Sequence, residues 1–118
     1  MTEYKIEGGA LELEVEGADR LWALRSHLTI PLADITGVTS DQQAVEAMRG
    51  GIKLAGSRIP GVLRAGYFHD AEGTVFWDVH RPGHAVVISL QHEHYRALVV
   101  DVENPEQAVA DIRQAIAS

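Results

Sequence analysis

Ala10-Leu11-Glu12-Leu13-Glu14-Val15-Glu16 alternates strictly between apolar and acidic residues. A period of two over seven residues puts Leu11, Leu13 and Val15 on one face of an extended strand and the glutamates on the other. Such a strand is buried on one side and wet on the other. Outward from it, Gly17-Ala18-Asp19 reads as a turn, and Arg20 to Leu24 as a second strand carrying Leu21, Trp22 and Leu24. His27 to Leu32 reads as a third, which Pro31 restricts to an edge or a strand end. Ile35 to Thr39 is β-branched except at Gly37 and makes a fourth.

Then the period changes. Ser40 followed by Gln43 has the spacing of a capping box, and Ala44, Val45 and Met48 share one helical face. Gly50-Gly51 stops that helix, because glycine takes the left-handed cap conformation at little cost. The expectation is a short inserted helix over 41–49, then a loop from Ile52 to Gly61. Four further strands are expected at 62–69, 74–79, 85–90 and 95–102, the first two joined by Asp70-Ala71-Glu72-Gly73. Asn104 as N-cap, Pro105 at the first helical position and Glu106 in the first turn start a C-terminal helix over 105–117. Its stripe of Ala108, Val109, Ile112, Ala115 and Ile116 needs an apolar partner, which the open end of a small β-barrel would supply. Short strands at this spacing mean a sandwich or small barrel. With no repeat, linker or low-complexity tract, residues 1–118 read as one domain.

The 118 residues are 46% hydrophobic and 23% charged, which excludes a disordered or collagen-like chain. Cysteine is absent, so neither a disulfide scaffold nor a thiol nucleophile is available. No apolar run approaches the ~20 residues of a membrane-spanning helix. The start, MTEYKIEGG, lacks the layout of a signal peptide, so a cytoplasmic location is expected. A net charge of -7 disfavours nucleic acid and anionic membrane lipid as partners.

The stretch Gly56-Ser57-Arg58-Ile59-Pro60-Gly61-Val62-Leu63-Arg64-Ala65-Gly66-Tyr67-Phe68 resembles bacterial pleckstrin-homology-like (PH-like) domains, with a Gly-x-x-x-Pro-Gly loop before a strand containing Gly-x-Phe. Arg81-Pro82, the strand Val86 to Ile88 and the helix start Asn104-Pro105-Glu106 follow in the same order. The resemblance spans residues 50–117. It implies a mainly β fold with helices: a PH-like barrel or orthogonal sandwich of about seven antiparallel strands, closed by the C-terminal helix. It also implies a binding or assembly module in place of an enzyme. Lipid-binding members use basic residues between their first two strands. Here that loop, Glu16-Gly17-Ala18-Asp19-Arg20, carries two acids and one arginine, which argues against an anionic headgroup.

Six histidines invite a metal, and four are close in sequence: His80 and His84, then His92 and His94. The two pairs flank opposite ends of strand 85–90, about 20 Å apart at ~3.3 Å per residue. A zinc site wants three or four ligands, so solvated turn histidines are the expectation. A small-ligand or metal-binding protein using these turns is the alternative. Ser26, Ser40, Ser57, Ser89 and Ser118 include no G-x-S-x-G elbow. Asp78 and His80 point the same way on one strand and read as a salt link. Glycines 50, 51, 56 and 61 do not complete a phosphate-binding loop, because Ser57-Arg58 stands where Lys-Ser or Lys-Thr is required. Neither catalytic residues nor a metal or other cofactor is expected.

Charge is segregated. No acid lies between Glu46 and Asp70, yet Arg49, Lys53, Arg58 and Arg64 all do. The rest of the chain holds 6 basic and 17 acidic residues, a net of -11. A basic segment in an acidic body suggests docking on the Glu12/Glu14/Glu16 face of a second copy, or on another protein. Tyr67-Phe68 and Phe76-Trp77 sit on the two arms of one hairpin, so each face of it carries aromatics. One face is expected to meet the core and the other a partner or the helix. Arg49, Lys53, Arg58, Arg64, Tyr67 and Trp77 are therefore the candidate binding residues.

Overall fold

Gly8 and Gly9 both hold positive φ, +59° and +76°, the geometry of the tightest antiparallel hairpin. They join β1 (Thr2–Glu7) to β2 (Ala10–Val15), with Glu7 opposite Ala10. The computed structural model describes residues 2–15, 27–55, 64–81 and 83–118, excluding the side chains of residues 15 and 53–55. Glu16, the turn at Gly17-Ala18-Asp19, the strand from Arg20 to Leu24 with Trp22, Arg58, the loop residues Gly56, Pro60 and Gly61, and Pro82 lie outside the described residues. β3 (His27–Pro31) completes an antiparallel sheet in the order β1-β2-β3. Leu11, Leu13, Leu28 and Ile30 are buried on its inner face, as alternation requires.

A second sheet holds β4 (Ile35–Thr39), β5 (Ile52–Ala55), β6 (Arg64–Asp70), β7 (Gly73–Val79), β8 (Ala85–Leu90) and β9 (Ala97–Asp101). Its spatial order is β4-β8-β9-β7-β6-β5. β9 returns from its hairpin with β8 and inserts beside β7, running parallel to it from Val75–Ala97 to Asp78–Val100. All five β9 residues are buried, because this strand has a sheet neighbour on each side and a covered face above and below.

Several expectations need correction. The architecture is mainly β with two α-helices, as expected. Where the sequence points to a barrel or orthogonal sandwich of about seven strands, the described residues form two sheets with nine strands and no closed barrel. The β7–β9 pair is parallel, so the strands are not all antiparallel. Residues 52–55, expected in a loop, form the edge strand β5. The short helix, α1, is Gln42–Ala47, inside the expected 41–49. Its cap is Asp41, whose carboxylate accepts from the Gln43 N–H at 2.9 Å, in place of Ser40. The C-terminal helix α2 (Pro105–Ala117) starts as expected, with Asn104 accepting from the Gln107 N–H at 3.1 Å.

Two apolar layers result. The main core lies between the sheets, where Leu11, Leu13, Leu28 and Ile30 meet Phe76, Val86, Ile88, Leu98 and Val100. Ala108, Val109 and Ile112 of α2 close it. A smaller cluster covers the other face of the six-stranded sheet, with Val75, Trp77, Val79, Val87 and Val99 beneath Val45 and Met48. No helix among the described residues is long and apolar enough to cross a membrane.

Candidate functional site

The basic segment is folded around Trp77. Arg49 follows α1, and Arg64 is the first residue of β6. Gly50 and Gly51, with φ of +120° and +76°, turn the chain between α1 and β5. Pairing of β5 with β6 brings Arg49 and Arg64 to one place. Arg49 Cζ lies 5.6 Å from the Trp77 ring centroid and Arg64 Cζ 4.7 Å from it. Arg64 also stacks on Phe68, with Cζ 3.8 Å from that ring. Contacts of this kind hold a guanidinium by its face and leave its N–H edge to make hydrogen bonds.

Arg64 Nη2 donates to the Gly50 carbonyl at 3.0 Å, while Arg49 Nε lies 3.1 Å from a Glu46 carboxylate oxygen. Burial, and next the Arg49 guanidinium, hold the Arg64 pKa below the ordinary arginine value, with Glu46 pulling the other way. The two arginines therefore repel across a partly desolvated site. Lys53 sits opposite Phe68 on β5, its side chain outside the described set. Ile52, at the start of this edge strand, is 75% exposed.

Tyr67 pairs with Phe76, and Trp77 is the next residue on β7, so Tyr67 and Trp77 take opposite faces of the hairpin. Trp77 belongs to the smaller cluster and is fully buried. Tyr67 lies in the main core, edge-on to Phe76 at 5.4 Å and stacked with Tyr95 at 5.9 Å. Both hairpin faces are covered, so these aromatics shape the site from within and present no outward surface.

On the outward face of the three-stranded sheet, Glu12 and Glu14 stand as their alternation demands, and β1 adds Glu3, Lys5 and Glu7. Four carboxylates thus face one lysine there, with Glu3 directly opposite Glu14. Sequence reading missed the β1 contribution, although Thr2, Tyr4 and Ile6 alternate with Glu3, Lys5 and Glu7 in the same period of two. This acidic face and the Arg49/Arg64 face lie on opposite sides of the molecule, with the main core between them.

The histidine turns serve the fold. His80 Nε2 lies 3.6 Å from Asp78, the link expected from their spacing. His84 Nδ1 is 3.2 Å from the Val102 carbonyl, and His94 packs edge-on against Tyr95. Asp101, fully buried, accepts from the His80 and Arg81 N–H groups at 2.8 and 3.2 Å, tying that turn to β9. Among the described residues, no group of three or more His, Asp and Glu side chains is placed to hold a metal ion. Comparisons with protein-family models, curated proteins and solved structures gave no match.

Proposed function

We propose that this chain is a non-catalytic, PH-like binding and assembly module that associates head to tail with copies of itself. The observation that carries this reading is the charge polarity of the two sheets. Arg49 and Arg64 lie over Trp77 on the outward side of the six-stranded sheet. Glu3, Glu7, Glu12 and Glu14 lie on the outward side of the three-stranded one. Opposite patches steer association and set its register. Two different patches in contact make a heterologous interface, which closes into rings or runs on into filaments. Exposed Ile52 beside the arginines adds the apolar anchor that charged contacts lack. Two packed sheets with a C-terminal amphipathic helix support the PH-like part of the reading, and the parallel β7–β9 pair is this chain's departure from that pattern.

Sedimentation velocity at low and high salt tests the proposal. Species larger than a monomer are expected at low salt. They should dissociate as the screening length falls from about 10 Å at 0.1 M to about 3 Å at 1 M salt. A monomer at both salt concentrations overturns the reading.

A further inference from the structure

We propose that Arg49 and Arg64, stacked on Trp77, form a binding site for a small oxyanion, a carboxylate or a phosphoryl group. The inference goes beyond self-association and stands on the local geometry alone. Two guanidiniums converge on one indole ring, within 5.6 and 4.7 Å of its centroid. Glu46 is the acid placed to offset them, and its side chain is 67% exposed. An anion between the arginines turns their mutual repulsion into attraction for a common partner.

A second observation is independent of charge. The Arg64 Nε–H and the Trp77 Nε1–H are buried and have no acceptor among the described residues. Buried donors without acceptors are rare and costly, and two of them share this site. Guanidinium and indole groups donate and cannot accept. A group that completes the site is an acceptor, and the two guanidinium charges favour a carboxylate or phosphate oxygen over a neutral one. The acidic body around the segment argues against an anion carried on a nucleic acid or membrane surface.

Nitrogen-resolved NMR of the indole and arginine Nε–H groups tests the site. Inorganic phosphate, acetate and chloride are titrated separately at matched ionic strength, and Trp22→Phe assigns the Trp77 signal. Saturable shifts of Trp77 Nε1–H and Arg64 Nε–H are expected with phosphate, acetate or both, and not with chloride. The anion that saturates identifies the group, phosphoryl or carboxylate, and saturation by both assigns the shared chemistry. Arg49→Gln and Arg64→Gln should each weaken binding about tenfold, the effect of losing one charge-assisted hydrogen bond. Arg49 is 43% exposed, so its variant keeps the fold and decides the matter if Arg64→Gln does not fold. Sedimentation on the same samples reads assembly separately from binding. Shifts no larger than those with chloride, or Arg49→Gln binding as tightly as the parent chain, overturn the proposal.

Discussion

Gly51 shows how a single residue places the cationic site. Its φ is +76°, and a Cβ built there lies 2.8 Å from the backbone oxygen of His69. Neither the left-handed backbone nor the contact with β6 tolerates a side chain. Gly51→Ala should cost about 1–3 kcal/mol in urea unfolding, whereas Gly37→Ala, with nothing within 4 Å, should stay within about 0.5 kcal/mol. Equal losses at the two positions would show that β5 does not need this close approach. Tyr4 makes a second local prediction. Burial first, then its 2.6 Å hydrogen bond to Asp111, push its pKa up to about 12 from 10.0. A phenol with a raised folded-state pKa stabilises the fold fully below pH ~10, and that contribution fades as pH climbs towards 12. Tyr4→Phe should therefore flatten the loss of stability between those pH values, which alkaline titration of unfolding measures. Tyr67→Ala should cost about 3–5 kcal/mol, the scale of deleting a buried aromatic ring. A near-neutral result in thermal unfolding would return Tyr67 to the surface.

Between elements, Arg96 straps the β6–β7 hairpin to the β8–β9 turn. Its Nε and Nη2 reach both oxygens of Asp70 at 3.2 and 2.5 Å, and its own N–H donates to the Thr74 carbonyl. The Arg96 fork, and next the Glu72 N–H, hold the Asp70 carboxyl below its ordinary range. A depressed carboxylate stabilises the fold above pH ~3.8, and the contribution is lost as pH falls through the lower folded value. Asp70→Asn should remove that acid-side component, and matching acid-unfolding curves for the variant and parent would contradict it. This strap joins residues 26 apart and has no local signature, so sequence could not foretell it. The elements themselves were unequally legible, for physical reasons. β2 and α2 declare themselves because each has one wet face, leaving a period of two or of 3.6. β9 is buried on both faces, so its apolar run marks a strand but says nothing of its neighbour, and the parallel pairing with β7 is invisible. β5 is four residues at a sheet edge between glycines, too short for its period to speak. The aromatics of the candidate site were correctly placed on two faces, but whether a face is covered depends on α1 and the other sheet, which no local pattern encodes.

Across the whole molecule, the consequence of the fold is polarity: a cationic face and an acidic face lie on opposite sides of one core. Sequence showed the segregation of charge, and only the sheet order reveals that the two patches are back to back. That arrangement makes a prediction stronger than salt sensitivity. Glu12→Lys/Glu14→Lys reverses the net charge of the acidic face, where Glu3 and Glu7 remain, and leaves Arg49 and Arg64 in place. Arg49→Glu weakens the cationic face and leaves the acidic one. In a head-to-tail contact each variant alone can no longer propagate, because each has lost one of the two unlike surfaces that meet. Mixed, they retain one intact surface each, and these still match. The mixture should form species absent from either variant alone, because one intact pair of unlike surfaces meets and the two reversed surfaces, now cationic and acidic in turn, no longer repel each other. An interface made by the same patch on both copies predicts the reverse, with no species unique to the mixture. Native mass spectrometry reads the two variants apart and together. A mixture containing only the species seen in the separate samples would rule out the head-to-tail contact.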